Sequence, residues 1–498
     1  MANQLETQMQ KIGDNREPIN RLPPEILSRI FVLCKRTQNR ERGHHDIFCL
    51  TILPSICQRW RMVALNTKSL WSLVTLSDGS PFHFSALCLD RSGTTTPLDI
   101  EISLSRRLWG RQFHPKPGKY MYLHAILDGL DFIVARGGST SRWRSFWLHT
   151  PENIHSIDPQ IAALDFIGKH PLPALERLEL KYDSPYLTQA EERLRKISHN
   201  RPLFHAPPPS HLKVATLEWI PNPYLFASPD CPQLVGLTCL EIKFPAILPN
   251  LEHIHALLAA NPRLRVLSID TRLYIFPLPP NSEDRKELVH LPKINMPNLR
   301  ALALLFSART YTPWWEHSLL LMLDAPNVES LRFWLRRSVH RVPRCQAFVD
   351  YLVKGTNPSN PRSLFPSLTG LELFVENDTA SPHDGGLNEE LLVAYPTITT
   401  LILPWGTSHR GLGIQPWLVP CLNRLLISTR SAWELREIIV KRHGAGLGPQ
   451  IVEVPMLRDE LFGSEEQMYL EVLNGLDIDV RIGYSKHRVR EVLGFDEP

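Results

Sequence analysis

From Pro173 onward the chain repeats a short phrase of apolar positions: a proline, one spacer, then apolar-x-x-apolar-x-apolar. It runs as Pro173 with Leu175, Leu178 and Leu180, and again as Pro262 with Leu264, Leu267 and Ile269. Pro297 leads Leu299, Leu302 and Leu304; Pro326 leads Val328, Leu331 and Phe333; Pro366 leads Leu368, Leu371 and Leu373. Pro396 with Ile398, Leu401 and Leu403, and Pro420 with Leu422, Leu425 and Ile427, complete the clear copies. From Pro262 onward their prolines stand 24 to 40 residues apart. Leu237, Leu240 and Ile242 keep the spacing without a proline at that offset, as do Trp143, Phe146 and Leu148, and a degenerate copy spans Leu212 to Trp219.

The end of the phrase alternates with period two, which predicts a short strand with one face buried. Helical spacing precedes several copies: Leu251, Ile254, Leu257 and Leu258; Leu319, Leu320 and Leu323; Phe348, Tyr351 and Leu352. The proline then stops the helix and starts the extended segment, because it cannot donate a backbone hydrogen bond and biases its predecessor away from helical ψ. A helix-breaker-strand unit cannot bury both apolar faces alone. Lateral stacking of such units gives a parallel sheet backed by helices.

Outside the repeats, Leu98, Ile100, Ile102 and Leu104 alternate strictly, and so do Leu476, Ile478, Val480 and Ile482; both predict strands, the second a closing one. Near the N-terminus, Leu22-Pro23-Pro24-Glu25 opens a helix: proline tolerates the first turn and a carboxylate suits the positive end of the dipole. Ile26, Leu27, Ile30, Phe31 and Cys34 then recur at three-and-four spacing. Thr37 to Asp46 reads as a polar loop. Ser55 to Val63 predicts a second helix with Ile56, Trp60 and Val63 on one face, followed by Leu70 and Trp71.

Composition adds few constraints. Of 498 residues, 43% are hydrophobic and 21% charged, as in globular proteins, and 498 residues suffice for several domains or one repeat array. The net charge of +4 is small for such a length and does not point to nucleic acid. The first twenty residues hold no signal-peptide core, and no apolar run approaches the roughly 18 residues of a membrane span. The eight cysteines are scattered without a CxxC pair. Cytoplasm, nucleus or both are the expected locations. The sequon Asn377-Asp378-Thr379 is read as a chance match. The 43 prolines are nearly twice an average share of about 5%, and some of them recur at the head of the phrase.

The strand pattern resembles leucine-rich repeats over most of residues 140 to 430, although the asparagine or cysteine that usually follows the strand is mostly absent. The segments Leu22 to Phe31 and Ser55 to Trp60 together resemble an F-box: Leu-Pro-x-Glu-Ile-Leu, an Ile-Phe pair, then Ser-Ile-Cys-x-Arg-Trp. The combination is similar to fungal-type F-box proteins with loose repeats. That resemblance implies docking on a Skp-type adaptor, and through it on a cullin, by Leu22, Pro23, Pro24, Glu25, Ile26, Leu27, Ile30, Phe31, Ile56, Cys57, Trp60 and Val63. It implies a substrate-recognition subunit of an SCF-type ubiquitin ligase, with an unknown protein substrate on the repeats. A repeat-based interaction scaffold without any link to ubiquitination is the alternative.

The expected fold class is α/β, a short N-terminal helical F-box followed by an irregular solenoid. The expected divisions are a polar tail over 1–17, the F-box over 18–75, a connector over 76–140, repeats over 141–455 and a capping segment over 456–498. No G-x-S-x-G, phosphate-loop or H-E-x-x-H motif occurs, so neither catalysis nor a cofactor is expected. His443 to Gly448 reads as a turn. His44 and His45, with Cys34, Cys49 and Cys57, match no zinc spacing, and no metal site is expected. Period two places Leu305, Arg332, Trp334, Phe374, Ile402 and Leu426 on the face of the sheet away from the helices. With Arg336 and Arg337 they form a candidate substrate surface, suited to an acidic or phosphorylated segment, unless the basic residues are merely a solvated edge.

Overall fold

The computed structural model describes residues 18–37, 47–76, 81–104, 121–151, 154, 156–183, 201–204, 207–226, 232–244, 248–271, 291–306, 313–336, 342–355, 362–376, 386–404, 410–428, 432–455, 473, 476, 478–484 and 486–495. The recurring phrase has one local cause. In each clear copy the residue before the proline accepts, through its carbonyl, a hydrogen bond from the amide two residues beyond the proline. Leu264 donates to Asn261 at 3.2 Å, Leu299 to Met296 at 3.2 Å, Leu368 to Phe365 at 3.1 Å and Leu422 to Val419 at 3.2 Å. This is a tight turn with proline at its second position, where a fixed φ is already correct and no amide is lost. The proline therefore builds the turn into the strand and does not itself end the helix: the helix before Pro262 has closed at Ala259.

The chain divides into two compact units, residues 1–196 with 201–212, and 197–200 with 213–498. The first holds helices α1 (Pro24–Thr37), α2 (Ile47–Ile56) and α3 (Gln58–Asn66), then strand β1 (Leu73–Leu76), α4 (His83–Ser92), β2 (Leu98–Ser103), α5 (Met121–Ala135), β3 (Trp143–Thr150), α6 (Asp158–Ile167) and β4 (Arg177–Tyr182). Strands β1 to β4 lie side by side in chain order, all parallel. The sheet thus begins at Leu73, well before the first phrase-like copy. Behind β3, Trp143 stacks on Phe146 and on Phe166 of α6, with ring centres 5.6 and 5.7 Å apart.

The second unit runs β5 (Val214–Glu218), α7 (Asn222–Leu225), β6 (Cys239–Lys243), α8 (Leu251–Ala259), β7 (Val266–Asp270), β8 (Ile294–Asn295), β9 (Ala301–Phe306), α9 (Pro313–Met322), β10 (Leu323–Asp324), β11 (Ser330–Arg336), α10 (Val342–Lys354), β12 (Gly370–Glu376), α11 (Gly386–Ala394), β13 (Thr400–Leu403), β14 (Arg424–Ile427), α12 (Ala432–Gly444), β15 (Ile451–Pro455), β16 (Asp479–Tyr484) and α13 (Lys486–Val492). Strands β8 and β10 pair with each other; the other strands of this unit form one parallel sheet in chain order. The fold is a solenoid of short parallel strands backed by helices. The helix-facing residues of the phrase are buried throughout, as at Leu267, Leu302, Leu331, Leu371, Leu401 and Leu425.

Within the second unit, buried polar groups tie neighbouring repeats together. Asn261 is fully buried; its carbonyl accepts from the Leu237 amide at 2.8 Å, and its NH2 donates to Leu234 and Leu257 carbonyls at 2.9 and 2.7 Å. Arg442 is also fully buried, donating to the carbonyls of Leu412, Leu418 and Val419. Each satisfies carbonyls that lie outside the strand ladder.

Several expectations change. Ser55 to Val63 is not one helix: Cys57 is extended (φ −156°) and caps α3, its sulfur accepting from the Trp60 amide at 3.4 Å. Ile56 therefore ends α2 and leaves the face it was expected to share with Trp60 and Val63. The closing strand is present but starts at Asp479, and a helix follows it. The glycine-rich stretch after His443 forms the expected turn, with Gly446 at φ 74°. Most of the expected loop after Thr37, with His44 and His45, lies outside the described residues, and so does the sequon at Asn377. Among the described residues no helix is long and apolar enough to cross a membrane.

Candidate interaction surfaces

Two surfaces emerge from these elements. The first belongs to α1, α2 and α3. The Leu27 amide closes the first turn of α1 on the Pro23 carbonyl at 3.0 Å, and the Arg59 guanidinium donates to the Leu22 carbonyl, fixing the entry of the chain. One side of α1 packs inward: Leu27 and Phe31 are fully buried, and Phe31 lies 5.0 Å from the ring of Trp60. Val63 is buried on α3, while Trp60, Leu22, Ile30 and Cys57 are half-buried. Thr67 bridges to α1, donating to Ser28 at 2.9 Å, and Trp71 donates its indole N–H to the Ala64 carbonyl at 2.8 Å.

The other side of α1 faces outward and is also apolar. Ile26 is 46% exposed and Leu33 50%, two turns apart on one stripe; Pro23, Pro24 and Glu25 at the start of the helix are exposed too. Ile56 at the end of α2 is 51% exposed and Met62 on α3 is 56% exposed. Single exposed apolar residues are ordinary, but several on three short helices are a concentration of the kind found where another protein binds. The expected adaptor-binding residues thus separate into an inner set that holds the helices together and an outer set that faces solvent. Met62 was absent from the expected set, since nothing in its sequence neighbourhood distinguishes it from a core position.

The second surface is the sheet face away from the helices. Strand register aligns Glu241, Ser268, Ala303, Arg332, Glu372, Ile402, Leu426 and Glu453 along one rung. Leu305, Trp334 and Phe374 form part of the next. Leu305, Arg332, Trp334, Phe374, Ile402 and Leu426 share this strand face, and Phe333, opposite to them, is fully buried among Phe306 and Phe348.

Their environment is less open than a bare sheet face. Arg332 forms an ion pair with Glu372, whose carboxylate is 3% exposed, and the Trp334 indole N–H donates to that carboxylate at 2.9 Å. The Trp334 and Phe374 rings lie 4.5 Å apart. Beyond them Glu453, 2% exposed, receives Arg424 at 3.2 Å. Arg332 and Arg424 are therefore matched laterally, strand to strand. The side chain of Arg336 and all of Arg337 lie outside what is described.

The apolar part of the face is covered by the chain itself. Val489 of α13 and the following Leu493 and Phe495 pack with Val214, Cys239, Val266, Ala301, Ala303, Leu305, Ile402 and Leu426 in one buried cluster, against which Trp334 and Val492 also rest. Leu305, Ile402 and Leu426 consequently have at most 4% exposure.

No group of three or more His, Cys, Asp or Glu residues able to hold a metal ion occurs among the described residues. No family model matches the chain, and neither does any curated protein.

Proposed function

We propose that the chain is a non-catalytic, repeat-based protein-interaction scaffold. The observation that carries this reading is the two-sided helix α1, with Leu27 and Phe31 fully packed inside and Ile26 and Leu33 about half exposed outside. Leaving such apolar area in water lacks a stabilising role in the isolated chain, whereas a docked partner removes it from water at about 25 cal/mol per Å². The solenoid supplies the second surface, the strand face of its stacked repeats, part of which Val489, Leu493 and Phe495 occupy.

The more specific reading makes the outward face of α1 to α3 the docking site for a Skp-type adaptor and, through it, a cullin, with the repeats holding a substrate for ubiquitination. Its support is the resemblance of Leu22 to Phe31 and Ser55 to Trp60 to an F-box, together with the outward position of Pro23, Pro24, Ile26 and Ile56. Location in cytoplasm or nucleus goes with this reading.

Affinity purification of the full chain beside its Ile26→Asp/Leu33→Asp variant tests the scaffold reading. Loss of a defined set of partners is expected, and identical partner lists would count against it. Turnover of repeat-bound partners under cullin inhibition separates the two versions: stabilised partners support the ligase subunit, and unchanged turnover supports the uncoupled scaffold.

A further inference from the structure

We infer that the sheet face around Glu241 is a binding site for a short amphipathic helix carrying one arginine and a few large apolar residues, and that residues 486–495 are its resident, displaceable occupant. Four observations converge on this. Arg490 sets its guanidinium against the Glu241 carboxylate in a two-point pair, Nη1 donating to Oε2 at 2.8 Å and Nη2 to Oε1. Val489, Leu493 and Phe495 are almost fully buried on the small residues of β5 to β9. Gly370 leaves room for Leu493, since an added Cβ would stand 2.8 Å from its Cδ2. Arg332, held by Glu372, presents its guanidinium 5.6 Å from the centre of the Phe495 ring.

The segment is held as a ligand would be. Helix α13 has seven residues, too few to persist in water without a surface to lie on. Val489, Arg490, Leu493 and Phe495 meet the sheet through their side chains, outside the strand ladders. A weakly bound segment remains seated because tethering supplies it at roughly millimolar effective concentration. Arg332 and Arg424 are already paired laterally with acidic neighbours, whereas Glu241 is met by the arriving Arg490. Around Glu241 the face therefore suits a cationic, apolar helix.

This inference rests on the scaffold reading of the repeats. Its test uses the full chain and a fluorescent synthetic peptide of residues 485–498. Anisotropy titration is expected to show the peptide binding the Arg490→Glu chain at least about tenfold more tightly than the wild type, whose site is occupied. A Glu241→Arg chain is expected to prefer the Arg490→Glu peptide over the natural one. Equal binding to wild type and variant, or binding to neither, would overturn the inference.

If the variants fold poorly, hydrogen exchange on the wild type decides. Excess unlabelled peptide should speed exchange of amides in residues 486–495, and unchanged exchange would overturn displacement. A concentration-dependent dimer that exchanges this segment would assign the site to a second copy and overturn the partner claim. None of these readouts involves Ile26 or Leu33, so they fail independently of partner capture at the N-terminal helices.

Discussion

Arg490 and Glu241 form a two-point ion pair across 249 positions of sequence, joining the last helix to the second strand of the unit that contains both. The pair is mostly withdrawn from solvent, with side-chain exposures of 28% and 15%. Removing one partner leaves the other charge poorly solvated, so Arg490→Ala and Glu241→Ala should each cost about 1–3 kcal/mol in chemical denaturation. The reversed pair Arg490→Glu/Glu241→Arg should recover part of that loss. Additive losses in the double variant would deny the coupling.

Glu372 should be among the costliest polar positions. Its carboxylate receives both Arg332 and the Trp334 indole inside the covered face. Glu372→Ala strands a buried guanidinium and is expected to cost about 3–5 kcal/mol. Glu372→Gln keeps an acceptor for the indole and should cost clearly less. Urea midpoints at constant m-value measure the difference.

On α1, inward and outward residues should respond oppositely. Leu27→Ala and Phe31→Ala empty packed positions and are expected to cost about 3–5 kcal/mol. Ile26→Asp and Leu33→Asp change exposed positions and should stay within about 0.5 kcal/mol. Thermal melts of the four variants separate a docking stripe from a second core face.

Stability should also fall on mild acidification through His317. Its ring lies 5.2 Å from Phe348 and 5.9 Å from Tyr351, and burial holds its pKa below the ordinary 6.5. The folded state therefore binds this proton less readily than the unfolded chain. His317 leaves stability intact above about pH 6.5 and subtracts from it as pH falls through that value toward the depressed one. His317→Gln should flatten the decline of melting temperature between about pH 7 and pH 5. An unchanged slope would place the proton uptake elsewhere.

The repeat architecture was legible because one local device recurs: proline in the second turn position, then alternating residues whose direction follows from strand geometry. That is why Phe333 and Trp334 were assigned to opposite faces from sequence. Strand β1 was hidden because Leu73-Val74-Thr75-Leu76 is buried at every position and has neither alternation nor proline. The break at Cys57 was hidden because Ile56, Trp60 and Val63 satisfy helical spacing whether or not the helix is continuous. Helix α13 was the least legible element. It falls within 456–498, expected only as a capping segment, and the value of Arg490 and Leu493 comes from strands far away in sequence. Leu305, Ile402 and Leu426 lie on the strand face away from the helices, but their cover comes from long-range packing that no local pattern encodes.

The most direct test of the interaction account is calorimetric titration of the full chain, and of its Ile26→Asp/Leu33→Asp variant, with a purified Skp-type adaptor. The expected result is a one-to-one complex with the wild type, weakened at least about tenfold by the paired substitution while the melting temperature holds. Absence of a complex with the wild type, or equal affinity of the variant, would contradict docking through the outward face of α1.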